Sequence, residues 1–220
     1  MQEQRVWDLP VRLVHWLLAG LIGFSWWSVK NHHTDWHIWS GCAILTLLIF
    51  RLLWGFVGSS TARWSSFVRG PASVFAHLRG RWNGIGHAPL GALSVVVIFA
   101  ALAIQVGLGL ISQDEDGLAF GPLSRLVSSD TSDAARDLHE LWFKLILGLI
   151  VLHVAAILFY RMRGRKLTKP MITGRAEIAP GTEPMKPGKW WAALICLAVA
   201  RQGDGLRFSR LSGVAEPVSA

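Results

Sequence analysis

The stretch Asp137–Tyr160, DLHELWFKLILGLIVLHVAAILFY, decides how the chain is read. It is apolar over more than the ~20 residues that a helix needs to cross a bilayer. Two histidines, His139 and His153, interrupt it. They stand fourteen residues apart, close to four turns at ~3.6 residues per turn, or ~21 Å of rise. Both imidazoles therefore leave nearly the same side of one helix, at two depths. An ionisable side chain inside a span is costly and marks a functional site by default. Two on one face point to two sites stacked across the membrane.

The composition agrees with a membrane chain. Of 220 residues, 52% are hydrophobic and only 16% are charged, against ~25% charged in soluble domains. The net charge of +8 does not mark a nucleic-acid binder, because the basic residues sit in loops beside apolar spans, where they orient a membrane protein. Cys42 and Cys196 make no disulfide framework, and neither C-x-x-C-H nor C-x-x-C is present, so covalent c-type haem attachment is not expected. Many of the 12 tryptophans fall at span ends, as an aromatic belt does. The first apolar segment is long for a signal peptide and lacks a small-x-small exit, so it reads as a span.

Four spans are expected, at about 11–29, 37–57, 90–111 and 137–160. Pro10 suits the start of the first. Arg12 and His15 share one face of it, three residues apart. His37 opens the second, and Arg51 lies fourteen residues on, in line with it. The third is rich in Ala and Gly, with Gln105 its one strongly polar residue. Between spans two and three, 58–89 is basic, and Pro71–Arg81 reads as a short helix at the membrane surface. The connection 112–136 is acidic. The run Arg161, Arg163, Arg165, Lys166 and Lys169 follows span four. The positive-inside rule then places both termini in the cytoplasm and 112–136 outside. Residues 170–189, with four prolines, read as a flexible linker. The apolar segment 190–200, at ~11 residues against ~17 needed to cross, reads as an interfacial or flexible piece. The fold class is all-α: an integral membrane four-helix bundle over 1–176, followed by a tail over 177–220.

This topology assigns a depth to each histidine. His37 and His139 lie near the outer surface, His15 and His153 near the inner one. Two histidine pairs facing across a bundle are what two b haems need, each iron taking axial ligands on opposite faces of a planar macrocycle. Arg12 and Arg51 fall at the inner depth, where a guanidinium can pair with haem propionates. Bland readings stand beside these. A single intramembrane histidine is often only a helix–helix hydrogen bond, though four at matched depths make coincidence a poorer account. His32 and His33 read as loop residues, and His33 with His37 has zinc spacing but no third ligand. Arg51 could snorkel. His77 and His87 read as interfacial. The acidic outer connection reads as a solvated segment or as a docking patch for a basic redox partner. Other classes are a histidine-lined metal or proton transporter, which would show spans broken at mid-membrane, and a passive anchor. Spans two and four show no such break.

The segments VWDLPVRLVHW, HIWSGCAILTLLIFRLLWGFVG, RWSSFVRGP, GHAPLGAL, LHELWFKLILGLIVLHV and MITGR, in this order over residues 5–176, resemble the prokaryotic cytochrome b561 family. The resemblance is closest to the branch containing the cytochrome b subunits of nickel–iron hydrogenases. It implies a di-haem b cytochrome in a bacterial inner membrane that passes electrons between a redox partner and the quinone pool, with quinone as redox substrate. The partner would be a periplasmic or soluble protein such as a c-type cytochrome or a dehydrogenase subunit. The family's four histidines fall on His15, His37, His139 and His153. Hydrogenase-type members carry a further C-terminal span, for which 190–200 is too short. That favours the smaller four-helix type, which includes a superoxide-oxidising enzyme, so a superoxide:quinone oxidoreductase is the alternative function.

Overall fold

The computed structural model describes residues 2–67, 89–114 and 119–211. Four long helices dominate it: α1 (Leu9–Lys30), α2 (Thr34–Val57), α4 (Pro89–Ile111) and α5 (Ser129–Met162), with a one-turn α3 (Trp64–Phe67) between the second and third. All four long helices are long and apolar enough to cross a membrane. The architecture is a helical membrane bundle, as the hydropathy implies. The surface helix expected at Pro71–Arg81 lies outside the described residues, as do His77 and His87.

The ends of the helices follow from local chemistry. Asp8 caps α1, its Oδ1 accepting the Val11 N–H at 2.8 Å, and Pro10 sits in the first turn. Helix α2 stops at Gly58, where a side chain would collide with the Trp54 carbonyl at 2.4 Å. Helix α5 begins at Ser129, eight residues before the expected start. Ser128 caps it by accepting the Thr131 N–H, at 3.3 Å. The extra turns are polar (Ser129, Asp130, Thr131, Ser132, Asp133), so hydropathy finds the span and misses the helix that projects beyond it. Ser132 is buried there and bonds back to the Ile111 carbonyl at 2.7 Å.

Helix α1 packs along α2, α4 along α5, and α2 also meets α4; the backbones of α1 and α5 do not approach each other comparably. A buried apolar layer joins α2, α4 and α5: Ile44, Leu48, Ala101, Leu102, Val106 and Ile146. Ile146 lies seven residues from both His139 and His153, and Ile44 seven from both His37 and Arg51. The layer thus sits midway between the two histidine levels. Outward faces stay apolar and exposed, as at Leu145, Val151 and Leu152 on α5. That is costly in water and neutral against lipid tails.

The chain after α5 differs from its expected character. Residues 170–189, read as a flexible linker, are tied to the bundle. Helix α6 (Thr168–Thr173) ends at Gly174 with φ +80°, and β2 (Arg175–Ile178) follows. Strand β2 pairs antiparallel with β1 (Gln2–Arg5), Gln2 opposite Ile178 and Arg5 opposite Arg175. Ser60 N donates to the Lys186 carbonyl at 2.9 Å, and Lys186 N donates to Ser60 Oγ at 3.0 Å. The proline count suggested mobility, but these partners lie more than 100 residues away in sequence, where local composition cannot report them. Helix α7 (Trp190–Leu211) sets Ala192, Cys196 and Ala200, one turn apart, into the core formed with Phe50 and Trp54. Its apolar part, Trp190–Gln202, is shorter than the four candidate spans.

Candidate functional site

Two pairs of imidazoles meet across the bundle. His37 of α2 and His139 of α5 have ring centroids 6.0 Å apart, with planes at 85°. His15 of α1 and His153 of α5 have centroids 6.4 Å apart, with planes at 51°. Helix α5 runs unbroken through both levels, so the pairs are ~21 Å apart along it.

The spacing within each pair permits a chemical test. A metal–imidazole bond is ~2.0–2.1 Å, and the ring centroid lies roughly 1 Å beyond the bonded nitrogen. Two imidazoles on opposite faces of one iron therefore have centroids roughly 6 Å apart. Both pairs meet this value, and both lie where α5 stands away from α1 and α2. A planar macrocycle needs that kind of gap. Among the described residues no group of three or more His, Cys, Asp or Glu could hold a metal ion, which leaves the zinc reading of His33 with His37 unsupported. The residues present thus fit a group that brings its own equatorial ligands and asks the protein for two axial ones.

The hydrogen bonds around the first pair fix which nitrogen is free. His37 Nδ1 lies 3.0 Å from the Ser25 carbonyl and 3.0 Å from Ser25 Oγ. His139 Nδ1 lies 2.9 Å from the Gln105 carbonyl. A carbonyl only accepts, so Nδ1 carries the proton in both rings and Nε2 keeps its lone pair for a metal. Ser28 Oγ donates to the same Ser25 carbonyl at 2.8 Å. Gln105 Nε2 donates to the His139 carbonyl at 3.1 Å. At the second pair, His15 Nδ1 is buried without a hydrogen-bond partner among the described residues.

The arginines occupy the His15 end of the bundle. Arg12 donates through Nη1 to the Ile172 carbonyl at the end of α6, and neighbouring Trp16 donates to the Met171 carbonyl at 3.2 Å. Arg51 is 6% exposed, and its guanidinium lies over the Trp64 ring, 4.5 Å from the centroid. Asp8 attracts it electrostatically. The second oxygen of Asp8 accepts the Trp54 indole N–H at 2.9 Å. His33 stacks on Trp36 at 4.5 Å and on Trp27 at 5.9 Å, outside either pair, while His32 occupies the loop with φ +60°.

Ser25, Gln105, Asp8 and Trp54 all serve these neighbourhoods without having been assigned to them from sequence. Gln105 alone carried a signal, as the one strongly polar residue of its span. Ser25 gave none, because its carbonyl is one that every residue has and its hydroxyl finds His37 twelve residues away on another helix.

The comparisons with known proteins now have a geometry to be set against. The family model for prokaryotic cytochrome b561 matches residues 6–174. No curated protein and no solved structure gives a significant match. The matched region contains both histidine pairs and all four long helices, and it ends at Gly174, which closes α6. The chain belongs to the prokaryotic cytochrome b561 family, and is a membrane b-type cytochrome of electron transfer.

Proposed function

We propose that the chain holds two b haems, one on His37 and His139 and one on His15 and His153, and carries electrons between a redox partner and the quinone pool. The observation that carries this reading is the matched pairing of imidazole rings at two levels, at centroid separations of 6.0 and 6.4 Å. Haem iron, when bound, supplies reversible one-electron exchange; the protein supplies ligands, orientation and shielding. Two imidazoles per iron leave no open coordination position, which favours electron transfer over oxygen chemistry at the metal.

The chain's own residues have separable tasks. The Ser25 and Gln105 carbonyls hold the Nδ1 protons of His37 and His139, which leaves Nε2 of each ring free to hold the haem iron when it is bound. Arg51 and Arg12 supply positive charge toward the His15 level, where they could pair with propionates. The layer around Ile44 and Ile146 keeps water from the space between the levels. The exposed basic run Arg161–Lys169 lies at the His15 end, which supports placing that end and both termini on the cytoplasmic side of an inner membrane. The outer end, at His37 and His139, would then meet the periplasmic partner. Exposed Asp130 and Asp137 there suit a basic one.

A reduced-minus-oxidised spectrum of the purified protein, with haem quantitation, tests the reading. The expected result is b-type bands and two haems per chain. A protein that binds no haem, or a single one, would sink it.

A further inference from the structure

Of the four long helices, only α4 contributes no histidine, yet its backbone lies directly against one. Gln105 and Gly109 stand one turn apart on the face of α4 that meets α5. The Gln105 carbonyl takes the Nδ1 proton of His139 at 2.9 Å, while its carboxamide donates to the His139 carbonyl at 3.1 Å. One residue thus grips both the ring and the backbone of its neighbour. At Gly109, a Cβ would stand 2.9 Å from His139 Cε1 and 3.2 Å from Nδ1. The imidazole therefore lies against bare backbone, and only glycine leaves it that room. Gly107, two residues back on the same helix, has nothing within 4 Å of its Cβ position. The close approach is specific to the ring, not a general property of α4.

The carboxamide shows a cost that packing alone does not explain. Gln105 Oε1 is buried without a hydrogen-bond partner among the described residues. An apolar side chain of similar size would avoid that desolvation, so a purely structural role would be served as well by leucine.

We propose that α4 is the positioning element of the haem on His37 and His139: Gln105 and Gly109 together fix the orientation of the His139 ring and hence the electronic character of that haem. The inference rests on the ligand assignment proposed above. The Nδ1–H bond makes the imidazole a stronger donor to iron, and the angle between the axial rings shapes the low-spin ferric signal. A displaced ring alters both. Among the described residues the other level has no equivalent seat, and it stays unaffected.

The test compares Gly109→Ala, Gln105→Leu and Gly107→Ala in the full-length protein by redox titration and low-temperature EPR. A His153→Ala variant, which keeps only the His37–His139 haem, assigns the signals. Gly107→Ala and Gly109→Ala remove the same helix-disfavouring glycine, but only the second meets the ring. Gly109→Ala is expected to shift the midpoint potential and ferric signal of the His37–His139 haem, leaving the other haem and Gly107→Ala unchanged. Gln105→Leu is expected to shift the same haem without lowering thermal stability. Two haems retained with Gly109→Ala indistinguishable from Gly107→Ala would overturn the positioning role and leave the ligand assignment standing. Equal shifts at both haems would overturn it too. Wild-type protein without two haems would instead remove the ligand assignment, and the positioning role with it.

Discussion

The two histidine levels use the same ligand type and surround it differently. At the His37–His139 level both rings are held from behind by carbonyls, and their planes are nearly perpendicular. At the His15–His153 level the planes stand at 51° and, among the described residues, His15 Nδ1 has no such partner. Toward that end of the bundle lie two cations, Arg12 and Arg51, with Asp8 acting on Arg51. With the haems placed as proposed, one level would be tuned by hydrogen bonds to the ligand, the other by charge around it. Hydrogen bonding raises the donor strength of an imidazole and favours oxidised iron; a nearby guanidinium favours the reduced state, with its one less positive charge. On the proposed ligand assignment both differences push the potentials apart in one direction, and the His15–His153 haem would be the stronger electron acceptor of the two.

The bluntest way to break this contrast is to delete a ligand at one level. His153→Ala should reduce haem content from two per chain to one and leave the haem with the more perpendicular rings; pyridine haemochrome quantitation and EPR would show it. Loss of both haems would mean that the levels are not independent. Next in size is Asp8→Ala. It removes the cap of α1, worth ~1 kcal/mol, and strands the buried Trp54 indole N–H at a cost of roughly 1–3 kcal/mol. Thermal unfolding in detergent should start earlier, with the haem nearer His15 released first.

Arg51→Leu sharpens the comparison without removing a ligand. Losing that charge should lower the midpoint potential of the His15–His153 haem and spare the other, narrowing the gap in a redox titration. An unchanged titration would take Arg51 out of the haem environment. The smallest effect is expected for Ser25→Ala. The carbonyl that holds His37 remains, and only the Oγ contact at 3.0 Å disappears. A shift confined to the His37–His139 haem, equivalent to no more than about 1 kcal/mol, is expected from the same titration.

How much of this was legible depends on the range of the interactions. His139 and His153 announce themselves because their fourteen-residue spacing and their apolar setting lie in one continuous segment. His15, His37 and Arg51 follow once the span directions are alternated. Pro10 marks the start of α1 by a local rule, and the structure adds the Asp8 cap. Gln105 is visible as a polar residue in an apolar span, but nothing nearby says that it faces His139. Ser25 is invisible, since its carbonyl is a main-chain oxygen that every residue has and nothing local says that its hydroxyl meets His37. The strand pairing of Gln2–Arg5 with Arg175–Ile178 is equally silent: both strands are short and charged, and each finds its partner some 170 residues away.

The sequence by itself determined that four helices are long and apolar enough to cross a membrane and that imidazoles sit at two levels along them, because hydropathy and helical period are properties of contiguous residues. Only the tertiary structure decided which carbonyl stands behind each ring, that α4 lies against His139 close enough to require glycine, and that the chain after α5 folds back onto the first strand and the end of α2. Those are matters of distance between segments remote in sequence, fixed to within an ångström by packing, and no local pattern encodes them.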